Sequence, residues 1–102
     1  MTLLILPGTK NCIAVPVEEI IRVEASSNYS RIYFSDGKKI TVTKILNWFE
    51  DTLPAEMFAR VHRSHLINKM FVQEIIGTGA KTLLLHNGEL ISISRRKRMS
   101  VT

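Results

Sequence analysis

Eight short runs of β-forming residues, each closed off by turn residues, limit this chain's fold more than any other feature. They are Leu3 to Leu6, Cys12 to Val15, Ile20 to Ala25, Arg31 to Phe34, Lys39 to Val42, Val72 to Ile76, Lys81 to Leu85 and Glu89 to Ile93. Rich in Val, Ile, Leu, Tyr and Phe, they favour a mostly antiparallel β domain. Two of the separators are explicit turns. Asp36-Gly37 and Asn87-Gly88 combine residues that tolerate positive φ, so each predicts a tight hairpin.

The same punctuation follows both hairpins: Thr43-Lys44 after the first and Ser94-Arg95 after the second. A Thr or Ser hydroxyl can accept from the first unpaired N–H groups of a helix, so both sites read as strand-to-helix transitions. The first helix, about Lys44 to Thr52, gathers Ile45, Leu46, Trp48 and Phe49 on an apolar face and ends near Pro54, which makes it a core helix. The second, Arg95 to Ser100, has only Met99 and Val101 nearby to bury. It is therefore a short, basic C-terminal helix whose charged face turns outward.

A chain of 102 residues with 45% hydrophobic and 23% charged residues has the size and composition of one folded domain, 1–102. No apolar stretch approaches the roughly 20 residues of a spanning helix. The opening Leu3-Leu4-Ile5-Leu6 is cut off by Pro7-Gly8 and lacks the basic flank of a signal peptide, so a cytoplasmic location is expected. The single cysteine, Cys12, cannot form an internal disulfide and reads as strand filler. With no heptads and no surplus amphipathic helix, a monomer is expected when the domain is free.

Charge is concentrated. Arg95-Arg96-Lys97-Arg98 carries four positive charges in a protein whose net charge is +5. Such a cluster on an otherwise balanced chain suits a phosphate backbone, or else is a solvated basic tail. A second concentration of polar chemistry spans Phe58 to Asn68, where Arg60, His62, Arg63, Ser64 and His65 compete for the outside and Phe58, Val61, Leu66 and Ile67 anchor the segment. Arg can bridge two acceptors on a guanine edge or hold a phosphate, His and Asn can read base edges, and Ser bonds to phosphate. A metal site from His62, His65 and His86 is disfavoured, because no carboxylate lies between the first two and Arg63 would repel a cation. A Ser64/His62 nucleophilic pair lacks an acidic orienter, so no enzyme activity and no cofactor are expected. The third candidate surface is the polar link Ser26-Ser27-Asn28-Tyr29-Ser30-Arg31, which is also readable as a plain hairpin loop with Tyr29 packed down. Glu24 before it would bind the loop's own backbone or a buried cation.

The stretches EIIRVEASSNYSRIYFSDGKKI, FARVHRSHLINKMFVQEI and LLLHNGELISISRRKRM resemble the LytTR-type DNA-binding domain of bacterial transcription regulators, over a recognisable core of about 13–100. The pairing of R-V-H-R-S-x-x-I-N with N-G-x-x-I-x-[IV]-S-R-R is the specific part of that likeness. The resemblance implies a mostly β fold of small antiparallel β-sheets with one or two short helices, and sequence-specific binding of double-stranded DNA carrying short direct repeats, through loops and strand ends that enter successive major grooves. It also implies a receiver or sensor domain that this chain does not contain, so the chain is either an excised domain or a stand-alone regulator. By position, base reading would fall at Arg63, at Arg95 and near Ser30, with Asn28, Tyr29 or Arg31 contributing around the short serine. Arg60, His62, Ser64, Asn68, Arg96, Lys97 and Arg98 would contact phosphates or brace the loops, and Asn68 in particular could cap a turn. A basic protein-interaction module and a single-stranded RNA binder remain the alternatives, the latter weakened because Tyr29, Tyr33 and Phe34 form the only aromatic cluster.

Overall fold

The computed structural model describes residues 2–7 and 11–93. Among them are ten strands: β1 (Leu3–Pro7), β2 (Cys12–Pro16), β3 (Ile20–Ser26), β4 (Tyr29–Phe34), β5 (Lys39–Val42), β6 (Phe58–His62), β7 (His65–Asn68), β8 (Val72–Ile76), β9 (Thr82–Leu85) and β10 (Leu90–Ser92). One α-helix, α1 (Leu46–Thr52), lies between β5 and β6. The strands form three antiparallel sheets: β1-β2, β10-β9-β8, and a central sheet in the order β5-β4-β3-β7-β6.

The central sheet is covered on both faces, which explains why its inner strands show no clean alternation in sequence. One face presents Ile20, Val23, Ile32, Phe58 and Leu66 to Leu4, Leu6 and Val15 of the β1-β2 hairpin and to Leu46 and Phe49 of α1. The other presents Ile21, Val61 and Ile67 to Leu83, Leu85 and Ile91 of the three-stranded sheet. Leu66 and Ile67, adjacent in β7, thus enter different cores. A sheet buried on both sides needs apolar residues at successive positions, so β7 reads as a continuous run in sequence. In β6 a register shift between Arg60 and His62 breaks the period again. Both strands were therefore hidden in what the sequence presents as an irregular polar segment.

Both predicted hairpins form. Gly37 and Gly88 have φ of 91° and 90°, and each N–H donates to the carbonyl three residues earlier, on Phe34 and Leu85. Asp36 and Asn87 keep negative φ, so each loop has three residues and the glycine alone takes the left-handed position. The Asp36 and Asn87 side chains accept from the N–H groups of Lys38 and Glu89, two residues on, which fixes the loops.

The helix differs from expectation in its start. It begins at Leu46 with Ile45 at the cap position, and no side chain caps it, so Thr43 is not its N-cap. Leu46 and Phe49 are buried as expected, but Ile45 is 57% exposed because it precedes the first turn. The second expected helix, with Ser94 and the run Arg95 to Arg98, lies outside the described residues.

Candidate nucleic-acid interface

Strand direction brings two of the three segments singled out in the sequence to one end of the central sheet. β3 and β4 are joined by a two-residue loop, Ser27-Asn28, with Ser26 paired to Tyr29. β6 and β7 are joined by another, Arg63-Ser64, with His62 paired to His65. The Ala25 N–H donates to the Ser64 carbonyl at 2.9 Å, which seats the loops side by side. The link from β5 to α1, residues 43–45, reaches the same end and brings Lys44 with it. The opposite end, with the turn after β4, mixes Glu18, Glu19 and Asp36 with the exposed Lys38 and Lys39, Lys38 lying 3.9 Å from Asp36, and the Ser35 N–H donates to the Glu19 carbonyl there. With Arg63 and Lys44 the loop end offers cations suited to a polyanion, whereas acids and lysines alternate at the opposite end.

Arg63 sits at the tip of its loop with an exposed side chain. Its backbone is held on every side. The Arg60 guanidinium donates through Nε to the His62 carbonyl at 2.9 Å and through Nη2 to the Arg63 carbonyl at 2.5 Å. The Ser64 N–H donates to His62 Nδ1 at 3.1 Å. Arg60 and His62 thus shape the loop. Arg60 is itself gripped from α1, its Nη1 donating to Asn47 Oδ1 at 2.9 Å and to Glu50 Oε1 at 2.7 Å.

In the neighbouring loop Asn28 is exposed, and Tyr29 and Arg31 are half-buried on one face of β4. Ser27 has φ of 59° and is the only non-glycine residue with positive φ among the described residues. Ser30 requires a correction. It is fully buried, and its hydroxyl donates to the Lys44 carbonyl at 2.6 Å. It fastens the β5–α1 link and offers no donor or acceptor to a base, because position 30 shares the inward face of β4 with Ile32. Asn68 is also fully buried, donating to the Ile20 carbonyl and accepting from the Met70 N–H, so it caps a turn at the far end of β7.

A buried ionic cluster escaped the sequence reading. Arg22 is 94% buried by its 6% exposure, donates to Glu89 at 3.2 and 2.9 Å and to Glu24 at 2.9 Å, and lies 3.9 Å from the centre of the Tyr33 ring. The buried cation expected near Glu24 is thus an arginine side chain. Arg22 ties β3 to the hairpin from which β10 leads toward the basic run. The signal was present: Arg22 interrupts the apolar Ile20-Ile21-Arg22-Val23, with Glu24 two residues on and so on the same strand face. The Arg22 hydrogen bond holds the Glu89 carboxyl below the usual range. For Glu24, burial pushes upward but the hydrogen bond and charge of Arg22 outweigh it, and the net shift is down. His65, paired across the strands with Glu24, is pushed down chiefly by burial, and its Nδ1 meets no partner among the described residues. His62 and His65 lie with ring centroids 5.4 Å apart. Among the described residues no group of three or more His, Cys, Asp or Glu side chains could hold a metal ion, and no helix is long and apolar enough to cross a membrane.

Small antiparallel sheets that gather polar loops at one end define a β-loop binding domain without a recognition helix among its described residues. The family model of the LytTr DNA-binding domain matches residues 10–102, and the chain belongs to that family, which binds DNA in transcription regulation and is not a class of enzymes. The chain is similar to the sensory transduction protein LytT of Enterococcus faecalis, 33% identical over 92 residues, which cover 88% of this chain and 38% of that protein. It thus spans less than two fifths of that relative's length. Its fold is also similar to the LytTr DNA-binding domain of a putative methyl-accepting/DNA response regulator from Bacillus cereus, with TM-score 0.79 and 25% identity over 95% of this chain and 90% of the other.

Proposed function

We propose that the chain, 1–102, is a single domain that binds double-stranded DNA sequence-specifically, as the cytoplasmic output module of a bacterial response regulator. The observation that carries this reading is the Arg63 loop: a two-residue turn, its backbone carbonyls held by Arg60, that presents an exposed arginine beside the Asn28 loop. An exposed arginine on a held backbone suits a guanine edge, which offers two acceptors to one guanidinium. In this reading Arg63 and Arg95 read bases in separate major grooves. Asn28, Tyr29 and Arg31, with Arg96, Lys97 and Arg98, hold phosphates. His62 and Ser64 keep the Arg63 loop in place, and Asn68 supports the far end of β7. The free domain is a monomer, and it occupies DNA with short direct repeats under control of a receiver or sensor domain. No cofactor takes part.

Mobility shifts with duplex DNA, single-stranded DNA and RNA at one salt concentration test the reading, after duplexes are selected from a random pool. A selected duplex should outcompete random duplex and both single strands, and log affinity should fall with log salt by about 0.9 per phosphate neutralised. Equal binding to all duplexes, or preference for RNA, would refute it.

A further inference from the structure

The Arg60 side chain is only 11% exposed, and both edges of its guanidinium are in use. One edge holds the carbonyl groups of His62 and Arg63, the two peptide units that flank the Arg63 α-carbon. The other meets Asn47 and Glu50, one helical turn apart on α1. A guanidinium so engaged has little left to offer a phosphate. A carboxylate beside a polyanion-binding loop is also electrostatically unfavourable unless it performs another task.

We infer that Glu50, with Asn47, is a specificity-determining positioning residue: it locks Arg60 and thereby aims the backbone from which Arg63 reaches a base. The inference rests on the DNA-binding reading above. Its physical basis is that a planar fork can hold two fixed acceptors only when its own rotation is stopped, and the second pair of contacts stops it. Neither Glu50 nor Asn47 touches DNA in this arrangement. Their effect passes wholly through Arg60 to the direction of Arg63.

The sign of one substitution separates this from plain electrostatics. Removing an acid near the interface raises affinity for every duplex if charge is all that matters. If Glu50 positions Arg60, Glu50→Ala lowers the ratio of selected-duplex to random-duplex affinity by about tenfold, the discrimination at stake in a misaimed bidentate contact. Glu50→Gln keeps an acceptor for Arg60 and should retain the wild-type ratio. Arg60→Lys preserves the charge but cannot fork, so the ratio should fall as with Glu50→Ala while the salt dependence stays unchanged. Thermal melts confirm that each variant is folded, and Arg63→Ala reports whether the loop reads a base at all. If wild type shows no preference among duplexes, or Arg63→Ala leaves the preference intact, the DNA reading fails and the inference falls with it. If Arg63→Ala lowers the preference while Glu50→Ala and Arg60→Lys leave it at the wild-type value, the DNA reading stands and the positioning role is overturned.

Discussion

Replacing Arg22 by Met should destabilise the protein by about 2 kcal/mol at neutral pH, less than the roughly 3–5 kcal/mol of a fully buried ion pair that loses one partner. Arg22 makes three hydrogen bonds to two carboxylates and stacks on Tyr33, so its loss leaves Glu24 and Glu89 without their counter-ion. Two features reduce the penalty. The carboxylate side chains are 31% and 35% exposed and can recover water, and Met restores much of the packing of the arginine stem. The pH dependence gives a second, independent sign. Both carboxyls have folded pKa values lowered from 4.5, so their contribution is present above that value and is lost as pH falls through the lowered one. In the variant the Arg22 contribution is gone, and the weaker hydrogen bonds from Tyr33 to Glu24 and from Asn87 to Glu89 still lower them. The gap between wild type and Arg22→Met should therefore narrow on acidification from about pH 7 to about pH 3.5. Urea unfolding at several pH values measures it. A difference under about 0.5 kcal/mol at pH 7, or one that stays constant with pH, would show that the cluster does not stabilise the fold as argued.

Ser27→Gly should stabilise the domain by about 1 kcal/mol in the same assay, because positive φ strains a serine and not a glycine. Asn68→Ala should cost about 2–3 kcal/mol, since it orphans the buried Ile20 carbonyl and the Met70 N–H together, and a smaller loss would mean that water replaces the amide. His65 is held neutral by burial, so stability should fall as pH drops below its unfolded value of 6.5, and His65→Gln should flatten the decline between about pH 7 and pH 5.5.

Turn chemistry and β-forming runs were the legible part of this fold. Asp36-Gly37, Asn87-Gly88 and the eight runs agree with observed loops and strands because each is decided by a few adjacent residues. β6 and β7 were illegible because burial on two faces and a register shift erase the period of two. The start of α1 misled because Thr43 is a good cap in isolation, while the Ser30–Lys44 contact holds the chain extended through Ile45. At the candidate site, Arg63 could be named from its motif, and Asn28 lies beside it as one loop end. Ser30 could not be placed, since whether a serine faces inward depends on strand register. The roles of Glu50, Asn47 and Arg22 depend on contacts with distant segments, which no local pattern encodes.

Amide chemical shifts of the labelled domain, followed during titration with the selected duplex, test most directly where DNA is bound. The expected result is that the largest changes cluster at Asn28, Tyr29, Arg63 and Ser64, with the amides of Glu19, Asp36 and Gly37 at the opposite end of the sheet unmoved. Changes centred on that opposite end, or on the β1-β2 hairpin with the Arg63 loop silent, would contradict it.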